Sequence, residues 1–396
     1  MTRALAVVLV LGSTVSVPLF DLADLTFTGD RIVGVVAVLF VIVHALRTGF
    51  RWTPVHAALA LFVAVQILTT LLNITVWPHG IVLVTVYVLG FACFALTADI
   101  ASTAPIRHFA VQLLIWGGIV AGLVGSLLAI AANLSATQLP GTTRLVGTRS
   151  DVSAFSAHVI FSEPNFLGGF LLIPLTLYVW QSPESVPRLF ALVTGIVYSC
   201  TRAAWLGMAG IVVACAWIRP LSRRAPFTIV GVLVLAFALL IATAGPSAFL
   251  QRTVIPLTDI RDNTMEYRLR ISAVMLRSWL ARPLVGHGAG AGHLVMLPLP
   301  SGRTLQGVWA GNAEVHLLQN SGVLGLAAFV LVIGVVWREV RRTAHRRGAA
   351  WATHGTPLCI VGIFLLFSFQ FTHALWLMYP YVYLGLLTAE LGADER

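Results

Sequence analysis

Twelve stretches of almost uninterrupted apolar residues follow one another along the chain, at residues 4–20, 31–46, 54–72, 80–98, 109–132, 165–180, 189–200, 203–218, 226–244, 323–337, 351–372 and 375–391. A helix needs about 20 such residues to cross a bilayer, and in hydrocarbon every backbone N–H and C=O must be paired. The pattern predicts an all-α polytopic membrane protein with about twelve transmembrane helices, a single integral membrane domain over residues 1–396. With 58% hydrophobic and only 10% charged residues, the chain cannot cover a soluble globule with polar side chains. A water-soluble enzyme is excluded. Residues 4–19 have the look of a secretion signal, but Pro18 and Phe20 stand where a cleavage site needs small residues, so the stretch counts as the first span.

Charge orients the spans. All 25 basic residues are arginine, and cytoplasmic loops carry the arginine excess. A cytoplasmic N-terminus puts Arg47, Arg51, Arg107, Arg188, the Arg219–Arg224 and Arg338–Arg347 clusters, Arg3 and Arg396 inside, and leaves only Arg31, Arg144, Arg149 and Arg202 in short external loops. This requires a turn at Arg202, so residues 189–218 read as a hairpin rather than one helix. Both termini then lie in the cytoplasm. Two external segments remain, 133–164 and 245–322, and the second carries Arg252, Arg261, Arg268, Arg270, Arg277, Arg282 and Arg303 against four acids, Asp259, Asp262, Glu266 and Glu314. A basic surface at the membrane suits an anionic headgroup or substrate.

Within the larger loop, residues 266–282 have helical periodicity and stop at Pro283 and the glycine-rich run 286–292. Glu266, Arg270 and Arg277 share one face, while Arg268 lies opposite, beside Ile271, Met275 and Trp279. A cation on the apolar stripe of a membrane-lying helix either finds a counter-charge, a phosphate or a carboxylate such as Asp259 or Asp262, or snorkels to water. Arg202 at the hairpin turn is either a second phosphate ligand or an interfacial anchor. Of the loop histidines His287, His293 and His316, the last is favoured as a base because it precedes a span and has Glu314 two residues upstream. The glycine-rich run lacks dinucleotide spacing and reads as a flexible re-entrant connector. Gly118 and Gly122 form a small-xxx-small pair for close helix packing. Cys93, Cys200, Cys215 and Cys359 lie in apolar runs as small core residues, and no metal-ligand spacing occurs.

Four segments resemble the O-antigen ligase and polysaccharide polymerase superfamily, bacterial membrane glycosyltransferases that use polyprenyl-pyrophosphate-linked sugars. FSEPNFLGGFLLIPL (161–175) is similar to its Pro-Asn segment, and SCTRAAWLGM (199–208) to its Ser-Arg hairpin, with Arg202 as the arginine. Arg268 followed by Pro283-Leu284-Val285-Gly286-His287-Gly288 is similar to its external-loop signature, and EVHLLQNSGVLGL (314–326) to the stretch leading into the next span. The chain departs from the family in two places. The slot of the family's histidine falls on Gly311, followed by Asn312, so that His316 or Glu314 takes its role or the base is missing; and residues 149–160 are inserted ahead of the Pro-Asn segment.

The resemblance implies transfer of a glycan from an undecaprenyl- or decaprenyl-pyrophosphate carrier to a hydroxyl of a lipid, protein or glycan acceptor at the external face of the bacterial plasma membrane. Arg268 and Arg202 would hold the pyrophosphate, with Arg270 and Arg144 as secondary candidates and His316 or Glu314 as the base. The reaction would be inverting, with no cofactor, metal or nucleic acid, and with membrane lipids as surroundings. The rival reading is a transporter or flippase for a lipid-linked or anionic solute. Such proteins place acids or broken helices at the bilayer midplane, whereas Asp99 and Glu163 lie near the ends of their runs.

Overall fold

The computed structural model describes residues 2–16, 18–22, 25–48, 52–73, 76–77, 79–146, 153–181, 185–218, 225–246, 263–298, 304–306, 311–372 and 374–393. Among these are thirteen α-helices. The first five are α1 (Thr2–Gly12), α2 (Gly29–Thr48), α3 (Pro54–Leu71), α4 (His79–Ile100) and α5 (Ala104–Ser135). Then come α6 (Pro164–Trp180), α7 (Val186–Tyr198), α8 (Arg202–Ile218) and α9 (Ala225–Ala244). The last four are α10 (Asn263–Leu280), α11 (Ala313–Arg347), α12 (Ala349–Phe369) and α13 (Tyr379–Leu391). Antiparallel hairpins pair β1 (Pro18–Leu22) with β2 (Leu25–Thr28), β3 (Thr142–Val146) with β4 (Ser153–Ala157), and β5 (Met296–Pro298) with β6 (Thr304–Gln306). Six helices, α3, α4, α5, α9, α11 and α12, are long and apolar enough to cross a membrane. The fold is all-α and that of a multi-pass membrane protein.

The core centres on α6, where every residue from Phe166 to Trp180 is buried. A helix apolar all round must have neighbours all round, and α5, α7, α8 and α12 supply them. The Gly118 and Gly122 pair sets these crossings. A Cβ on Gly118 would come 2.6 Å from Cβ of Pro174 in α6, and one on Gly122 would strike the backbone carbonyl of Ala191 in α7. The four cysteines are free, and Cys93, Cys200 and Cys215 are buried as expected.

Three local readings of the sequence meet a test here. The run 189–218 does break: α7 ends at Tyr198, Cys200 takes a left-handed φ of 52°, and α8 begins at Arg202. Trp205 of α8 donates to the carbonyl of Ile196 in α7 across 3.1 Å, which sets the two helices side by side at that level. The first run is not helical throughout. Its helix stops at Gly12, where the Ser13 and Thr14 hydroxyls donate to the carbonyls of Val10 and Leu11, and the chain enters the β1–β2 hairpin. Eleven residues of helix extend about 16 Å, roughly half a bilayer core.

The glycine-rich run is not a flexible connector either. Residues 288–292 are buried and act as a strap against a break in α11, whose Gly322 is non-helical at φ 65°, ψ −161°. On one side of the break the carbonyls of Gln319 and Asn320 accept from the amides of His287 (2.9 Å) and Gly288 (2.7 Å); on the other, the amides of Val323 and Leu324 donate to the carbonyls of Pro283 (2.9 Å) and Leu284 (3.2 Å). The strap thus replaces the ladder bonds that the break removes, as a buried polar backbone requires. A Cβ at Gly286 would come 2.6 Å from the Asn320 backbone, and its φ of 62° suits glycine alone.

Candidate active site

Helix α10 presents its faces as its periodicity requires: Ile271 and Met275 are buried, Arg270 and Arg277 are exposed, and Arg268 is half-buried on the apolar side. Ile271 and Met275 pack with Val295 and with Val315 of α11, so a small core of their own carries the arginine. Arg268 Nη1 donates to the carbonyl of Phe371, just past the end of α12. Its Nε and Nη2 hydrogens have no hydrogen-bond partner among the described residues. Gly311 lies directly against the guanidinium, and a Cβ there would come 2.8 Å from Nη1. The two sequence-predicted carboxylate partners, Asp259 and Asp262, fall outside the described residues.

Arg202 is brought to the same place from the start of α8. Burial lowers the pKa of Arg268 from its ordinary value, the charge of Arg202 lowers it further, and that of Glu163 partly offsets both. Charges act on one another in this way only at short range, so the three groups share one site. The starts of α6 and α8 are tied by Thr201, whose hydroxyl donates to Oδ1 of Asn165 at 3.3 Å. Gly168 gives that contact its closeness, since a Cβ there would come 2.9 Å from the Ser199 hydroxyl and from Ala204.

The third wall is the start of α11, capped by Asn312, whose side chain accepts from the Val315 amide at 3.0 Å. Asn312 also donates to Gln370 Oε1 at 3.1 Å, and Gln370 Nε2 donates to Glu314 Oε1. Glu314 Oε2 is buried with no hydrogen-bond partner among the described residues. The starts of α6 and α8, with Glu163 and Arg202, and the start of α11, with Glu314 and with Arg268 against Gly311, thus flank one site.

Of the other sequence candidates, His316 is buried inside α11, its Nε2 2.8 Å from the side-chain nitrogen of Asn320 one turn on. Arg270 is exposed on the far face of α10, and Arg144 is exposed on β3, opposite Phe155, in a hairpin packed on α5, α6, α7 and α9. Gln370, the Phe371 carbonyl and Asn165 with Thr201 were missed as site components. The signal for Gln370 was slight: a polar residue at the end of an apolar run.

No curated protein matches the sequence. Residues 188–333 match the family described as O-antigen ligase, a span that takes in Arg202, Arg268, the glycine strap, Glu314 and Gly322. Over those residues the chain is similar to the O-antigen ligase family, and the match supports the resemblance to the O-antigen ligase and polysaccharide polymerase superfamily.

Proposed function

We propose that the chain is a membrane glycosyltransferase that moves a glycan from a polyprenyl-pyrophosphate carrier to an acceptor hydroxyl at the external face. The observation that carries this reading is the convergence of Arg268 and Arg202, from separate helices, at three helix N-termini beside a buried carboxylate oxygen. The diphosphate is already a good leaving group, so the protein has to hold its charge, align donor with acceptor and accept one proton. Arg268, fixed on one nitrogen by the Phe371 carbonyl, offers its remaining N–H groups to phosphate oxygens. Glu314 is the better placed base of the two candidates. It accepts the acceptor's hydroxyl proton, the oxygen attacks the anomeric carbon opposite the diphosphate, and the bond from that carbon to the bridging oxygen breaks with inversion. The freed diphosphate keeps the bonding electrons, against Arg268 and Arg202.

The twelve-crossing topology with both termini in the cytoplasm, and the loop 245–322 as the site's external cover, belong to the same proposal. An apolar cavity lined by Phe62, Phe329, Phe369, Leu375 and Tyr381 lies between α3, α11, α12 and α13. Phe369 and Leu375 flank Phe371 in sequence, which supports a place for the carrier's hydrocarbon beside Arg268.

The test is purified protein in vesicles with a polyprenyl-pyrophosphate glycan and an acceptor. The proposal expects release of the lipid diphosphate, an inverted linkage and undiminished transfer in EDTA. A cargo that crosses the bilayer still attached to its lipid would make the protein a transporter, and a retained linkage would remove Glu314's role.

A further inference from the structure

Helix α11 starts at the candidate active site with Glu314 and, past its break at Gly322, continues to Arg347. Beyond the break it is apolar as far as Trp337 and then reads REVRRTAHRR over 338–347. At about 100° per residue, Val330, Leu331, Trp337, Arg338, Arg341 and Arg342 fall within an arc of about 140°. All six are exposed, whereas Val340 and Thr343 on the other side of the helix are buried. One outward stripe is thus apolar along the bilayer-crossing part of α11 and cationic at its far end, with a tryptophan at the junction, the place such residues take at a membrane boundary.

The positive charge on this stripe is not cancelled within the protein. Arg338 Nη2 and Arg342 Nη1 share one carboxylate oxygen of Glu339, at 3.0 and 3.1 Å, and Arg341 and Arg346 have no carboxylate partner among the described residues. Four exposed guanidiniums therefore stand against a single acid. Arg347 is not among them, since it turns inward to Glu390. Arginines at a cytoplasmic boundary orient a span and are solvated by water, but neither role requires them to prolong the exposed apolar stripe. A phospholipid does require it. The rise from Val330 to Arg341 is about 16 Å, and one leaflet's hydrocarbon is roughly 15 Å thick, so acyl chains lying along Val330, Leu331 and Trp337 bring a headgroup to the arginines. We propose that this stripe binds an anionic phospholipid in the leaflet away from the candidate active site, with Arg338, Arg341 and Arg342 on its phosphate; the excess of guanidiniums over acids selects an anionic headgroup above a zwitterionic one. The site uses neither Arg202, Arg268 nor Glu314, so it stands apart from the glycosyltransferase reading.

The experiment uses the full chain in phosphatidylcholine vesicles that carry a rising fraction of either phosphatidylglycerol or phosphatidylcholine brominated at the headgroup end of its chains. Bromine quenches tryptophan at contact, and subtracting the signal of W337F from that of the wild type isolates Trp337 among the eleven tryptophans. Half-maximal quenching is expected at about a tenfold lower fraction of phosphatidylglycerol than of phosphatidylcholine, as uncompensated arginines beside a headgroup predict. The preference should vanish in about 1 M salt, where charges are screened beyond about 3 Å, and in R338Q/R341Q/R342Q measured the same way. The salt arm is read on the wild-type chain, so the proposal stays decidable if the triple variant fails to insert. Equal quenching by the two lipids, which leaves the arginines facing water or an acidic protein, overturns the proposal, as does a preference that survives salt or the substitutions.

Discussion

The bundle around α6 and the loop from Asn263 to Gly322 are held by different forces. In the bundle, one continuous apolar core runs from α1 to α13, and helix positions follow from shape and from small residues at the crossings. In the loop, Ala313 and Leu317 reach that core, Ile271, Met275 and Val295 form a satellite of their own, and the glycine strap adds backbone hydrogen bonds to the broken α11 and a bond from the Ala289 amide to the Thr70 hydroxyl. A packed core tolerates changes that keep its volume. A backbone strap with positive φ at Gly286, Gly288 and Gly290 tolerates almost none. The part of the molecule that aims Arg268 and Glu314 is thus the part with the least slack in its sequence.

Substitutions in the two regions should separate these modes of stabilisation. The largest effect is expected for Gly322→Val, which puts a branched side chain against the Leu284 carbonyl at a φ of 65°. Backbone strain and overpacking there should destabilise by roughly 3 kcal/mol or more, read as loss of monodisperse protein and of transfer. Arg268→Ala comes next. Transfer should fall by about 10²–10³, the usual loss for a missing charge-stabilising donor, while the unfolding midpoint stays within a few degrees; a collapse in stability would make the arginine structural. Gln370→Ala frees Glu314 from its donor and should reduce kcat by about tenfold, as for one hydrogen bond to a charged group, with little change in KM. Leu172→Ala in the bundle should invert that outcome, costing about 2–5 kcal/mol of stability but leaving the turnover of each folded molecule intact. Arg144→Ala, on its exposed hairpin, should change transfer by no more than about twofold, and a larger loss would bring β3 into the site.

How much of this was legible in the sequence follows the same division. The helices and their order could be read because burial in a membrane writes long apolar runs, and the Gly118 crossing could be read because a small residue has little other use there. Arg268 stood out as a cation beside Ile271 and Met275, and Arg202 as the charge at a turn. What could not be read is contact between distant segments. Gln370 and the Phe371 carbonyl reach Glu314 and Arg268 only through folding, and a backbone carbonyl leaves no mark in sequence. The glycine strap was misread because the same residues serve a loose linker and a tight turn with positive φ. The early end of α1 was missed because PLFDL is as apolar as the helix before it.

The brevity of α6 has a consequence for where chemistry takes place. Gly125 of α5 lies against Leu167 of α6. Beyond that level α5 continues ten residues to Ser135, whereas α6 has only three left to its start at Pro164. The difference of seven residues sinks the mouth of α6, with Glu163, Asn165 and Arg202 beside it, roughly 10 Å beneath the tip of α5. The β3–β4 hairpin fills that step on the α5 side, where Asn133 of α5 holds both backbone groups of Phe155, so a shelf of protein stands beside the mouth of α6.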